Sequence, residues 1–256
     1  MINGRVCFII IVVRKMIEIR NVTKIFGKDF KAVDNLNLNI ETGYIYGFLG
    51  PNGAGKTTTL KMITGILRPD EGQVFINNID VVNDPMRAKE QFGFVSDNPD
   101  LFLKLKGIEY LNFIGTIYDV NQVKLRENIF KYSKLFEMNE VLNNRIESYS
   151  HGMRQKIAII GALIHEPKIW ILDEPLTGLD PKSSFTLKEM MKEHASKGNV
   201  VLFSTHVLEV AEKVCDRVAV IAKGKLLFNG SIEEMKEKVG EDESLEKMFL
   251  ELVENE

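Results

Sequence analysis

The sequence predicts an α/β fold with a parallel-sheet core, an antiparallel β lobe and a helical subdomain. Three observations carry this reading. Short, largely apolar runs at Tyr44 to Leu49, Ile169 to Leu172, Asn199 to Ser204 and Arg217 to Ile221 suit strands buried on both faces. From Met16 to about Val82 the text is strand-rich, with Leu36, Leu38 and Ile40 alternating and a turn at Asn77-Asn78. Between about Asp97 and Tyr149 the period becomes helical: Ile108, Leu111, Ile114 and Ile117 form one stripe, and Leu125, Ile129, Tyr132 and Phe136 the next.

These elements divide the chain into one domain over 16–256, with a helical subdomain at about 97–160, and an N-terminal segment over 1–15. That segment carries eight apolar residues, Val6 to Val13, between Arg5 and Arg14-Lys15. The run is too short to span a bilayer, which takes about 20 residues, and basic residues stand where a signal peptidase needs small ones. An extra strand and a mis-assigned start with the working chain beginning at Met16 are the two readings. At the other end, Ser231 and Glu234 form a capping box, and Leu245, Met248, Phe249 and Leu252 space out a last amphipathic helix.

Composition narrows the function classes. With 256 residues and 45% hydrophobic content the chain has ample material for a packed core. A net charge of −3 gives no global basic field, so nucleic acid is not expected as a partner. Cys7 and Cys215 lack metal-ligand spacing and read as buried thiols.

The chemistry begins at Gly50-Pro51-Asn52-Gly53-Ala54-Gly55-Lys56-Thr57, which spells G-x-x-x-x-G-K-[ST] between a strand and a helix. Backbone N–H groups wrap a polyphosphate only where no Cβ blocks the approach, which explains the glycines. Lys56 brings a point charge to the β/γ oxygens, the Thr57 hydroxyl is a ligand for Mg²⁺, and Thr58 assists through its amide or hydroxyl. The core is therefore that of a P-loop NTPase. Its companion is Ile169-Trp170-Ile171-Leu172-Asp173-Glu174, an apolar strand ending in two acids at the sheet's C-terminal edge. Asp173 is placed to hold Mg²⁺, and Glu174 to polarise the attacking water.

With both halves of the site in view, the chain resembles the ATP-binding subunit of an ATP-binding-cassette (ABC) transporter, over Met16 to about Asn255. Tyr149-Ser150-His151-Gly152-Met153 is similar to the family's signature loop, usually L-S-G-G-Q; Leu176 to Asp180 resembles the D-loop; Ser204-Thr205-His206 carries the switch histidine. Phe26 stands where the family stacks an aromatic ring on adenine. The resemblance implies a head-to-tail homodimer, in which Ser150 and Gly152 of one subunit close over ATP held by the other's phosphate loop. His206 would contact the γ-phosphate, and Asp180 would bind at and couple the two composite sites. It also implies a separately encoded integral-membrane permease of the export type, with this subunit on the cytoplasmic face of the membrane. A soluble ATPase of an assembly system, such as iron–sulfur scaffold assembly, is the alternative.

The chain departs from the pattern at three points. Asp97, after Phe92 to Ser96, replaces a glutamine that touches Mg²⁺; it is acceptor-only and adds charge near the phosphates. His151 replaces a signature glycine, either as a further donor to the γ-phosphate or as a residue facing solvent, and Met153 replaces the signature glutamine. Permease docking is expected near Asp97 to Tyr118, where the apolar stripe also reads as subdomain core.

Overall fold

The computed structural model describes residues 14–100, 102–239 and 249. The N-terminal apolar run with Cys7, and the proposed last helix apart from Phe249, lie outside the described residues.

The chain opens with a long antiparallel hairpin, β1 (Lys15–Phe26) and β2 (Phe30–Glu41), followed by the short buried strand β3 (Ile45–Leu49) and helix α1 (Lys56–Ile63). Next come β4 (Glu71–Ile76), β5 (Ile79–Asp80), α2 (Pro85–Lys89) and β6 (Phe92–Val95). Three helices follow: α3 (Gly107–Ile117), α4 (Gln122–Leu135) and α5 (His151–Leu163). The remainder alternates as β7 (Ile169–Asp173), α6 (Pro181–Ser196), β8 (Val200–Thr205), α7 (Leu208–Val214), β9 (Arg217–Ala222), β10 (Lys225–Ser231) and α8 (Ile232–Val239).

Two sheets result. The lobe has strand order β2-β1-β4-β5 and is antiparallel throughout; the core has order β10-β9-β3-β8-β7-β6 and is parallel from β9 to β6, with β10 antiparallel at one edge. Asn77 and Asn78 adopt φ of 49° and 64°, the left-handed pair that a tight hairpin turn requires. Every residue of β3, β7 and β8 is buried, so each apolar side chain there contributes about 1.5–3 kcal/mol of transfer free energy. The Ser231–Glu234 capping box forms in both directions, at 2.8 and 3.0 Å.

The helical stripe of α4 is core: Leu125, Ile129, Tyr132 and Phe136 are all buried. That of α3 is split. Tyr110 and Leu111 are buried, whereas Phe113 and Ile117 are exposed and Phe102 packs 5.5 Å from Phe113. The stripe, open between permease docking and subdomain core, is thus divided: Leu111 is buried, Ile108 and Ile114 pack against the core, and Ile117, the last residue of α3, is exposed. Cys215 is free and only half-buried as a residue, with its thiol pKa pushed up by burial.

Candidate functional site

Strands β3, β7 and β8 lie side by side and parallel, so their C-terminal ends open at one edge of the sheet. The phosphate loop leaves β3 there. A Cβ at Gly50 would collide with the Ile221 carbonyl oxygen, and Gly55, at φ 105°, leaves no room for one against the Ala32 carbonyl. The loop is braced by the Ala54 N–H on the Pro51 carbonyl at 3.2 Å and by the Gly224 N–H on the Ala54 carbonyl at 3.0 Å. Asn52 and Gly53 are exposed; Thr57 and Thr58 are half-buried in the first turn of α1.

Lys56 is 6% exposed, and its Nζ donates to the carbonyl oxygens of Gly50 at 2.7 Å and Pro51 at 3.2 Å. Burial lowers its pKa against the opposing pull of Glu174 and Asp173. Glu174 Oε1 stands 3.9 Å from this ammonium and 3.0 Å from His206 Nδ1, which makes Glu174 the residue shared between the cation and the histidine. Its backbone has φ 48°, a conformation uncommon outside glycine and costly unless its surroundings hold it.

Ser204 does that holding. Its hydroxyl donates to Asp173 Oδ1 at 2.5 Å, and its oxygen accepts the Glu174 N–H at 2.9 Å. The role was not read from the sequence, where Ser204 counted only as the neighbour of His206. The available signal was a hydroxyl ending the strand beside the two acids.

Asp173 is fully buried, and burial raises its pKa against the lowering effect of the Ser204 and Thr57 hydroxyls, with Asp97 and Glu174 adding to the rise. Its Oδ2 is buried without a regular hydrogen-bond partner. A desolvated carboxylate with an unsatisfied oxygen, near two other acids and the Thr57 hydroxyl, is a donor set that fits a hard divalent cation. Among the described residues no group of three or more His, Cys, Asp or Glu side chains is arranged for a metal. Asp97 lies just past β6, exposed, with Oδ1 accepting from Ser96 Oγ at 2.9 Å.

The other expected site residues sit elsewhere. Phe26 ends β1, 43% exposed, with Lys24 Nζ 5.7 Å from the centre of its ring. Ser150 caps α5, accepting from the Met153 N–H at 3.3 Å, and leaves the first amides of the helix pointing outward with its positive dipole end. His151 is exposed, in keeping with a residue that faces solvent, and its ring also lies against Gly178. Asp180 accepts with its carboxylate from the Ser183 N–H and Oγ, both at 2.8 Å, and pairs with Lys156 Nζ at 2.6 Å, which caps α6 and ties it to α5. The Lys156 bond, ahead of the Ser183 N–H, holds its carboxyl well below the usual carboxylate range.

A family model described as ABC transporter matches residues 33–177, more than half of the chain. The chain belongs to the ABC transporter family. The match stops short of Asp180 and His206, which the structure places in the same neighbourhood as the matched motifs. The ABC transporter ATP-binding protein NatA of Bacillus subtilis is 37% identical over 82% of this chain and 86% of its own length. The Nod factor export ATP-binding protein I of Cupriavidus metallidurans is 33% identical over 86% of this chain and 72% of its own. Among solved structures, an ATP-binding subunit of an ABC transporter superimposes with a TM-score of 0.88 at 28% identity, covering 93% of this chain and 99% of that one. A dimeric cassette bound to ADP and Pi in a post-hydrolysis state gives 0.77 at 27% identity, over 85% and 99%. This ABC ATPase binds and hydrolyses ATP, and its role is energy coupling for transport. ATP-binding subunits of this family work with membrane permeases, and their cassettes form dimers.

Proposed function

We propose that this ABC ATPase is the motor of an exporter whose permease is a separate polypeptide, and that it works as a head-to-tail homodimer on the cytoplasmic face of the membrane. Residues 16–256 are taken as its ATPase domain, with 97–160 as the helical subdomain. The observation that carries the reading is the convergence of Lys56, Asp173, Glu174 and His206 on one sheet edge, with the Ser150 helix terminus outside it.

Each residue then has a task. The backbone N–H groups of Asn52 to Thr58 and the Lys56 ammonium hold the β- and γ-phosphates, releasing Lys56 from the loop carbonyls it otherwise bonds. Phe26 stacks on the base. Glu174 accepts a proton from the attacking water, His206 orients Glu174 and the γ-phosphate, and the Ser150 hydroxyl with the Gly152 amide, from the other subunit, bind the γ-phosphate's remaining oxygens. Thr57 and Asp173, with Asp97 at the rim, would hold Mg²⁺, which neutralises charge on the β- and γ-oxygens when bound.

No helix among the described residues is long and apolar enough to cross a membrane. A permease from elsewhere supplies the span, and the exposed Phe102, Phe113 and Ile117 offer it a docking surface. The export direction follows the Nod factor export relative. Relatives that are transporter subunits leave the assembly-ATPase alternative without support.

The test is copurification. A C-terminally tagged protein is extracted from native membranes in mild detergent, and the stoichiometric partner is identified by mass spectrometry. An integral-membrane partner is expected; recovery with soluble partners alone overturns the reading.

A further inference from the structure

Helix α4 turns a basic and apolar face to solvent. Its other side is core, with Leu125, Ile129 and Tyr132 buried, and Asn128 Nδ2 donates to the Ile164 carbonyl at the end of α5 at 2.9 Å, which fixes the rotation of the helix. On the outward side Arg126, Lys131 and Lys134 are exposed, and Val123 and Phe130 stand among them at 67% and 64% exposure. At 100° per residue these five fall within an arc of about 140°. Glu127 is the one acid of the helix, and Lys124 and Leu135 extend the face along one side.

The charge on this face is not neutralised locally. Along α6 and α7, Lys192, Lys197 and Lys213 each pair with a glutamate three or four residues away. On α4, Lys124 reaches Glu166 at 3.0 Å, whereas Arg126, Lys131 and Lys134 make no ion pair among the described residues. Lys131 and Lys134 lie instead 5.0 and 5.9 Å from the ring centres of Tyr132 and Phe130. A chain with a net charge of −3 thus gathers unpaired cations beside exposed apolar side chains on one helix face. That combination matches the boundary of an anionic bilayer, where apolar side chains enter the acyl edge and lysine and arginine heads stay among the phosphates.

We propose that the outward face of α4 binds anionic phospholipid headgroups of the leaflet around the permease. The inference rests on the membrane-associated exporter read above. Asn112 of α3 lines one groove of about 570 Å³ with Gln122, Arg126 and Phe130 of α4, so the basic face adjoins the side of α3 whose Phe113 is offered to the permease. A subunit docked there sets α4 beside the permease and over the headgroups. The cations stand on the convex back of a helix, and Arg126 and Lys134 are about 12 Å apart along its axis, a spread that meets a surface of many headgroups better than one bound segment.

The test is cosedimentation of the full-length protein with sucrose-loaded vesicles. One set is phosphatidylcholine alone; the other carries phosphatidylglycerol at about one lipid in three. Wild type is expected to bind the anionic vesicles at least about tenfold more tightly than the neutral ones, and raised salt should weaken that binding. Arg126→Gln, Lys131→Gln and Lys134→Gln combined should lower it about a hundredfold, near fivefold per cation. Phe130→Ser should lower it severalfold, and Lys131→Arg with Lys134→Arg should retain it. ATP hydrolysis should stay at the wild-type level in every variant, which reports that the fold is intact. Equal binding to both vesicle types, binding to neither, or a triple variant that binds like wild type would each overturn the proposal. So would a triple variant that loses its permease in detergent while wild type ignores vesicles, which would give the face to a protein partner. Recovery of wild type with soluble partners alone would instead overturn the exporter reading beneath it.

Discussion

His206 Nδ1 lies 3.0 Å from Glu174 Oε1, at the ends of strands β8 and β7, although 32 residues separate them in the chain. The pair ties the imidazole's tautomer to a carboxylate whose backbone is itself in a left-handed conformation. A base held this way is oriented before substrate arrives, which is where positioning gives its rate advantage.

Removing the charge while keeping the shape isolates that role. Glu174→Gln is expected to lower kcat for ATP hydrolysis by roughly 10²–10⁴ and to leave ATP affinity within about twofold. Steady-state phosphate release and equilibrium nucleotide binding measure the two quantities. Unchanged turnover would remove Glu174 from the general-base role.

Ser204→Ala deletes one hydroxyl that serves two partners. The Asp173 carboxylate and the Glu174 N–H both lose a hydrogen bond, at a cost of about 1–3 kcal/mol in a buried setting. Urea unfolding should show that loss, with kcat reduced at least about tenfold. Thr at this position keeps the hydroxyl and should recover most of it. A stability change without a kcat change would make Ser204 purely structural.

Phe26→Ala should weaken ATP binding by about 1 kcal/mol, or roughly fivefold, and leave kcat at saturating ATP unaltered. Phe26→Trp should bind at least as well as wild type. Fluorescence titration with ATP settles it, and equal affinities for all three would place the base elsewhere.

Two histidines set an acid limit on stability. Burial lowers the pKa of His165 and of His194 from 6.5 to about 4. His165 stacks on Tyr118 at 3.7 Å and donates from Nε2 to the Phe92 carbonyl, while its Nδ1 is buried without an acceptor for a proton. His194 stacks on Trp170 at 4.0 Å and donates to the Lys168 carbonyl. A folded-state pKa below the unfolded one stabilises above the unfolded value, and the contribution is lost as pH falls through the folded value. Stability should therefore drop between about pH 6.5 and 4, by up to about 1.4 kcal/mol per pH unit for each histidine. Urea unfolding across that range checks it. His165→Gln should shallow the slope, and a slope identical to wild type would contradict the assignment.

Much of this site is legible in the sequence because its parts are local. The phosphate loop is eight consecutive residues, and Asp173-Glu174 are adjacent, so the strand that carries them also aims them. Ser204 is not legible in that way. Its two hydrogen bonds depend on β7 and β8 pairing in a register that sets Asp173 opposite Ser204. The contacts of Asp180 are illegible for a similar reason: its partners Ser183 and Lys156 follow from the cap of α6 and the side of α5 that faces it. Ile117 fits a helical period, yet it ends α3 exposed, and period alone does not say how much of a helix its neighbours cover. His151 reads as a choice between phosphate and solvent; its contact with Gly178 depends on how α5 packs on the 175–180 loop and has no local signal.

The most direct measurement is the mass of the Glu174→Gln protein by light scattering, with and without ATP and Mg²⁺. The account predicts a shift from the monomer mass of 29.1 kDa to twice that value on adding nucleotide, and no shift when Ser150→Arg is combined with it. A protein that binds ATP yet stays at the monomer mass, or a dimer indifferent to Ser150→Arg, would contradict the composite site.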